Sequence, residues 1–168
     1  MRELTRLDVH WSRLARNWEG IQRLAPQAKI LPMVKANAYG HGLVPVSQFL
    51  FQDMKALTLG VATLGEAEAL IQGVSNFTGV VYVFSETDLH LPLKYAGKKI
   101  WPVISNLADL QIFLSGKSFS HLPLILKLNT GMNRLGVSRP EWEEAIKLIR
   151  ASGRTSIRHL FSHYTSSY

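Results

Sequence analysis

The 168-residue chain contains no cysteine, which excludes disulfide scaffolds, thiolate zinc sites and cysteine nucleophiles. It is poor in charge as well: Asp, Glu, Lys and Arg make up 18% of residues, against roughly 25% in an average globular domain. Acids are the scarcer sign, 12 against 19 Lys and Arg, so the formal net charge is +7 with histidines neutral. The basic residues are scattered and form no recognised RNA- or DNA-binding module, so no nucleic-acid partner is expected. No stretch reaches the ~18 uninterrupted apolar residues of a membrane helix. The opening 1–20 mixes charges into every turn and has no signal-peptide core. These absences predict a protein with no membrane partner, and a cysteine-free chain is compatible with the reducing cytoplasm.

What is present is apolar material, 46% of residues, enough for one packed domain over 1–168. Six short β-rich runs recur: KILPMV (29–34), LTLGVA (57–62), VVYVF (80–84), KIWPVI (99–104), LPLILKL (122–128) and IRHLFS (157–162). Their starts lie 19 to 35 residues apart, too far for hairpins and right for strand, crossover helix and parallel strand. Runs apolar on both faces suit buried parallel strands. Between them, Thr63 with Glu66 and Ser138 with Glu141 match the capping box. Gly73 and Gly153 stand where left-handed C-terminal caps are wanted. Trp142, Ala145, Ile146 and Ile149 form an apolar helical stripe, and Leu14, Trp18 and Ile21 predict a helix over 12–24. An open doubly wound sheet and part of an eight-stranded barrel both accommodate this order. A complete barrel takes ~250 residues, so the barrel alternative implies an incomplete (β/α)8 TIM-type barrel of about six βα units, with the last two strands absent.

In either architecture ligands gather at the carboxyl ends of the strands. There the chain places Lys35 and the Ala-Asn-Ala-Tyr-Gly-His-Gly after it, then Lys127 through Arg134, then Ser162 and His163. A lysine completing an apolar strand is costly to bury as an ammonium and tends to shed its proton. The neutral amine is the nucleophile that an aldehyde cofactor requires. Read alone, Lys35 is either that nucleophile or a lysine snorkelling from a strand end. Lys127 alternates with Leu126 and Leu128 and so faces away from both. His159 and His163 share a strand face, but without a third ligand beside them no metal site is expected.

VKANAYGHG over 34–42 and KLNTGMNRLG over 127–136, in that order, closely resemble the alanine racemase family, and the likeness extends from the opening helix with Asn17 to FSHYTSSY over 161–168. The resemblance implies a pyridoxal 5'-phosphate enzyme on a barrel, interconverting L- and D-alanine for peptidoglycan. Lys35 would be its Schiff-base lysine and the base on the D-alanine side. Tyr39 would lie near the cofactor phosphate, with Arg134 toward the cofactor's phenolic oxygen and the substrate carboxylate. Met132 would line the same pocket, and His163 would lie against the cofactor ring. Lys127 would be carbamylated and paired with Arg134, as in many members of the family. The full-length protein would be a homodimer whose second base is a tyrosine from the partner's C-terminal part. That part, including a β-rich domain, is absent from these 168 residues, and Tyr164 and Tyr168 do not replace it by motif. The isolated chain is therefore expected to be a poorly competent fragment. A related decarboxylase and a noncatalytic cofactor-binding module are the alternatives.

Overall fold

A computed structural model describes residues 7–165; residues 1–6, at the head of the 1–20 stretch, and 166–168, including Tyr168, lie outside the described residues. The chain opens with helix α1, Trp11–Leu24, one residue earlier than its apolar stripe predicts. Leu14 and Trp18 rest on the core, although no residue of α1 is fully buried.

Three strands form a parallel sheet in the order β1 (Thr58–Thr63), β2 (Val80–Glu86) and β3 (Ile100–Pro102). A second parallel pair comprises β4 (Ile125–Lys127) and β5 (His159–Phe161). A parallel bridge between Ile104 and Leu126 joins the two sets: the Ile104 N–H donates to the Ile125 carbonyl (2.9 Å) and the Lys127 N–H to the Ile104 carbonyl (2.8 Å). On the other side Met33 bridges Gly60. Strands are therefore neighbours in space in the order in which they occur in sequence. A doubly wound sheet reverses its order at a switch point, so this arrangement decides for the barrel type.

Curvature says the same. Tyr82 and Phe84 on β2 meet Phe161 on β5 with ring centroids 5.8 and 5.1 Å apart, and Tyr82 lies 6.0 Å from His159. Two strands lie between β2 and β5, so these rings can touch only across a concave face. That interior gathers Tyr82, Val103 and Ile125 with Leu31, Phe84, Trp101 and Phe161. The alternate residues, such as Val81, Val83, Leu124 and Leu126, face outward into the larger core beneath the helices.

The first apolar run contributes a single bridge because of Pro32. The Val34 N–H donates to the Gly60 carbonyl (2.8 Å) and the Gly60 N–H to the Pro32 carbonyl (2.9 Å). Extending that ladder backward needs an N–H at position 32, which proline lacks.

Helices α3 (Leu43–Gln52), α4 (Leu64–Gly73), α5 (Leu107–Ser115) and α6 (Trp142–Ala151) cover the outer face. Ala145 and Ile149 on the α6 stripe are buried. The βα alternation fails over 87–99, where the connection holds only a 3-10 turn, Pro92–Lys94. There fully buried Tyr95 donates its hydroxyl to the Thr87 carbonyl. Thr63 and Glu66 form the complete capping box, and Gly153 is left-handed (φ 75°). Two expectations need correction. Gly73 does not cap α4 in the left-handed region, since α4 ends on extended Val74; a Cβ on Gly73 would come 2.5 Å from Val44 Cγ2, so glycine there permits close helix contact. At Ser138 only half of the box forms: the Glu141 carboxylate accepts the Ser138 N–H (2.8 Å), but the hydroxyl also donates to that carboxylate (2.6 Å) instead of accepting an amide, and α6 starts later, at Trp142.

Candidate active site

The peptide following Lys35 turns the wrong way. Ala36, Asn37, Ala38 and Tyr39 all have φ between 51° and 55°, so α2, Lys35–Tyr39, is a turn of left-handed helix. Non-glycine residues resist this conformation by roughly 1–2 kcal/mol each. The turn is held from several sides. Its own bonds run from the Ala38 N–H to the Val34 carbonyl (2.8 Å) and from the Gly40 N–H to the Ala36 carbonyl (3.1 Å). Asn37 Oδ1 accepts the Leu43 N–H at the start of α3 (2.7 Å). Glu66 Oε1 accepts the Ala36 N–H (2.6 Å), and its Oε2 accepts those of Ala62 (2.8 Å) and Thr63 (3.2 Å).

The second site loop follows β4. Asn129 Oδ1 accepts the N–H groups of Gly131 (3.1 Å) and Asn133 (3.0 Å), and its amide nitrogen donates to Asn133 Oδ1 (2.9 Å). The loop is closed by the Asn129 N–H on the Val137 carbonyl (3.0 Å) and the Val137 N–H on the Lys127 carbonyl (2.8 Å). Gly136, with φ 124°, brings the backbone so near that an added Cβ would lie 2.5 Å from the Asn129 nitrogen. Arg134 stands exposed in this self-pinned loop.

Lys35, Tyr39, Lys127, Arg134 and His163 line one cavity of about 320 Å³ at the carboxyl ends of the strands, with Met33, Phe84, Ser85, Leu135, Phe161 and Ser162. Five residues proposed from the sequence thus converge, from segments up to 128 positions apart. Met132 is not among the residues lining this cavity, whereas Leu135 is. Asn17 faces a separate apolar groove between α1 and the first run. The sequence reading missed Phe84 and Ser85, although their place at the carboxyl end of the 80–84 run was the signal that could have found them.

The buried lysine of the site is Lys127, 7% exposed, while Lys35 is partly open. Lys127 Nζ sits 6.0 Å from the Phe84 ring centroid and has no hydrogen-bonding or ion-pair partner among the described residues. Its proton affinity is lowered, first by burial and then by the charges of Arg134 and Lys35. His159 lies in the barrel interior beside Tyr82 and Phe161, where burial above all, with the charges of Arg158 and Lys29, lowers its pKa. No group of three His, Asp or Glu residues among the described residues could hold a metal ion, and no helix there is long and apolar enough to cross a membrane.

Comparison with known proteins gives this geometry a context. The chain is 30% identical to the alanine racemase of Shewanella denitrificans over 171 residues, 99% of this chain and 46% of that protein. It is 38% identical to that of Haemophilus influenzae over 132 residues, 76% of this chain and 35% of that one. The alanine racemase structure from Oenococcus oeni superposes with a TM-score of 0.76 at 27% identity, covering 95% of this chain and 46% of its own. That from Corynebacterium glutamicum gives 0.76 at 25%, covering 91% and 44%. This chain spans less than half the length of these relatives. The sequence model described as "Alanine racemase, N-terminal domain" matches residues 9–167, and with the sequential parallel strands and both strand-end words in place, the chain belongs to that family.

Proposed function

We propose that this chain holds pyridoxal 5'-phosphate on Lys35 and serves the interconversion of L- and D-alanine. The observation that carries the reading is the make-up of the cavity wall: three cationic side chains, Lys35, Lys127 and Arg134, with Tyr39 and His163, and no carboxylate. That set fits the cofactor. An aldehyde needs a primary amine, an anionic phosphate and phenolic oxygen need cations and O–H donors, and a flat ring needs aromatic or imidazole faces. A volume of about 320 Å³ is at the small end of ligand pockets.

The cofactor, when bound, supplies an electron sink that acidifies the α-hydrogen of an amino acid. Lys35 Nζ, at the end of the first parallel run, would be freed when the substrate amine replaces it on the aldehyde and would then take or deliver the proton on one face of the substrate; inversion requires a second acid-base group on the opposite face. Arg134 offers a planar, permanently charged fork to the substrate carboxylate, held in place by the loop that Asn129 ties together. Tyr39 would offer its hydroxyl to the cofactor phosphate, and His163 would offer an imidazole face to its ring. Lys127, whose ammonium form is disfavoured, adds carbon dioxide at Nζ with release of one proton, and the resulting carbamate anion pairs with Arg134. On this reading the whole protein works as a cytoplasmic homodimer and supplies D-alanine to peptidoglycan; the resemblance of the two strand-end words of this chain to the alanine racemase family is what supports it.

Borohydride reduction of the protein incubated with pyridoxal 5'-phosphate, followed by peptide mass spectrometry, should place the label on Lys35 and lose it in Lys35→Ala. Alanine in deuterium oxide should gain deuterium at Cα, faster than serine under the same conditions. A protein that takes no label at Lys35 overturns the reading.

A further inference from the structure

We infer that Glu66 is a positioning residue for the Lys35 amine, an inference that rests on Lys35 being the amine that takes the aldehyde. The bridge of Met33 to Gly60 sets a register in which the next pair would be Lys35 and Ala62, with the Ala62 N–H on the Val34 carbonyl and the Ala36 N–H on the Ala62 carbonyl. Neither bond forms. The Glu66 carboxylate takes both donors instead, Ala36 on Oε1 at 2.6 Å and Ala62 on Oε2 at 2.8 Å. The freed Val34 carbonyl accepts the Ala38 N–H of the left-handed turn (2.8 Å). At the same level the β1–β2 register shifts between Val61 and Thr63. Glu66 thus ends the ladder at the residue that carries the amine and clamps the two chains where they part.

The clamp acts on Lys35 through its own peptide. The Ala36 N–H belongs to the amide that follows Lys35, and a charged acceptor on it fixes the plane of that amide. Losing the carboxylate would leave the Ala36 N–H without its acceptor, in a turn otherwise held by the Ala38 and Gly40 amides. A capping role for α4 alone would require Glu66 to reach only Thr63, three residues back; the bond to Ala36 crosses 30 positions and lies outside the start of α4.

Glu66→Gln and Thr63→Ala separate the two roles. Thr63→Ala removes the hydroxyl that accepts the Glu66 N–H (3.1 Å) and weakens the start of α4 without touching Ala36. Three quantities are to be measured on each: melting temperature, amide hydrogen exchange at Ala36, and the rate at which borohydride traps pyridoxal 5'-phosphate on Lys35. Both variants should melt below the wild type. Only Glu66→Gln should speed exchange at Ala36 and slow trapping, by about tenfold for a reacting amine displaced from its geometry. Should Glu66→Gln fail to fold, Glu66→Asp makes the same comparison, keeping the charge but too short to reach Ala36 and Ala62 together. Equal trapping in wild type and Glu66 variant, or equal slowing by Thr63→Ala, overturns the inference. Absence of label on Lys35 in the wild type overturns the functional reading itself, and this inference with it.

Discussion

Lys127 concentrates the electrostatic tension of the site in one side chain. Burial, Arg134 and Lys35 all push its proton off, so its pKa in the folded chain lies below the value of about 10.4 for a free lysine. Between those two values the unfolded chain binds the extra proton, and stability rises with pH; it falls as pH drops toward the folded value, where a buried charge is imposed. Replacing Lys127 by Met should raise stability at neutral pH by on the order of 1 kcal/mol and flatten the rise toward alkaline pH. Urea unfolding of both proteins at a series of pH values, in buffer freed of carbon dioxide, checks this; a wild type that gains no stability relative to Lys127→Met as pH rises toward the free-lysine value would contradict it. The inward direction of Lys127 was legible from alternation with Leu126 and Leu128. The burial argument belongs to Lys127 rather than to Lys35, because Lys127 is buried and Lys35 is partly open. Glu66 was legible only as a helix cap, since its second set of partners comes from a run some 30 residues earlier, a distance at which local patterns carry no information.

Among the elements, the left-handed turn and the loop after β4 hold the chemistry, and both depend on residues that tolerate positive φ. Asn is the non-glycine residue best suited to that region, and Asn37 adds the bond to the Leu43 amide. Asn37→Ala should cost about 1–2 kcal/mol, combining a lost helix-start acceptor with left-handed strain. Gly136→Ala should cost more, about 3 kcal/mol or above, because its Cβ meets backbone at 2.5 Å where no side chain can move aside. Thermal unfolding orders the two, and a Gly136→Ala protein as stable as wild type would refute the close approach. The glycines of both words were visible in sequence as turn formers, whereas the run of four left-handed residues was not. It arises from a contest that no local propensity reports: Pro32 stops the ladder on one side, Glu66 on the other, and the chain between must reverse within a few residues. Likewise Gly73 was read as a cap by position, when its reason is Val44 on a neighbouring helix.

For the whole molecule, strand spacing predicted parallel order, but only side chains meeting across the interior, such as Phe84 with Phe161, distinguish a curving sheet from a flat one. Among the described residues the Met33 segment and β5 each pair on one side only. Leu160 on the outer face of β5 is 54% exposed, and Leu24 at the end of α1 is 88% exposed. Open edges and uncovered apolar groups promote association. Light scattering at rising concentration should reveal species larger than the monomer, and Leu160→Lys should shift the onset to higher concentration; an unchanged onset would place the contact elsewhere. The nearest-neighbour strand order bears on synthesis too. Thr58 pairs with Val80 and Val81 with Ile100, so each strand finds its template already laid down a few turns of chain earlier. Loops of that length close at modest entropic cost, and the sheet can therefore grow edge by edge as the polypeptide leaves the ribosome, with the lysine-bearing turn among the first parts to find its partners.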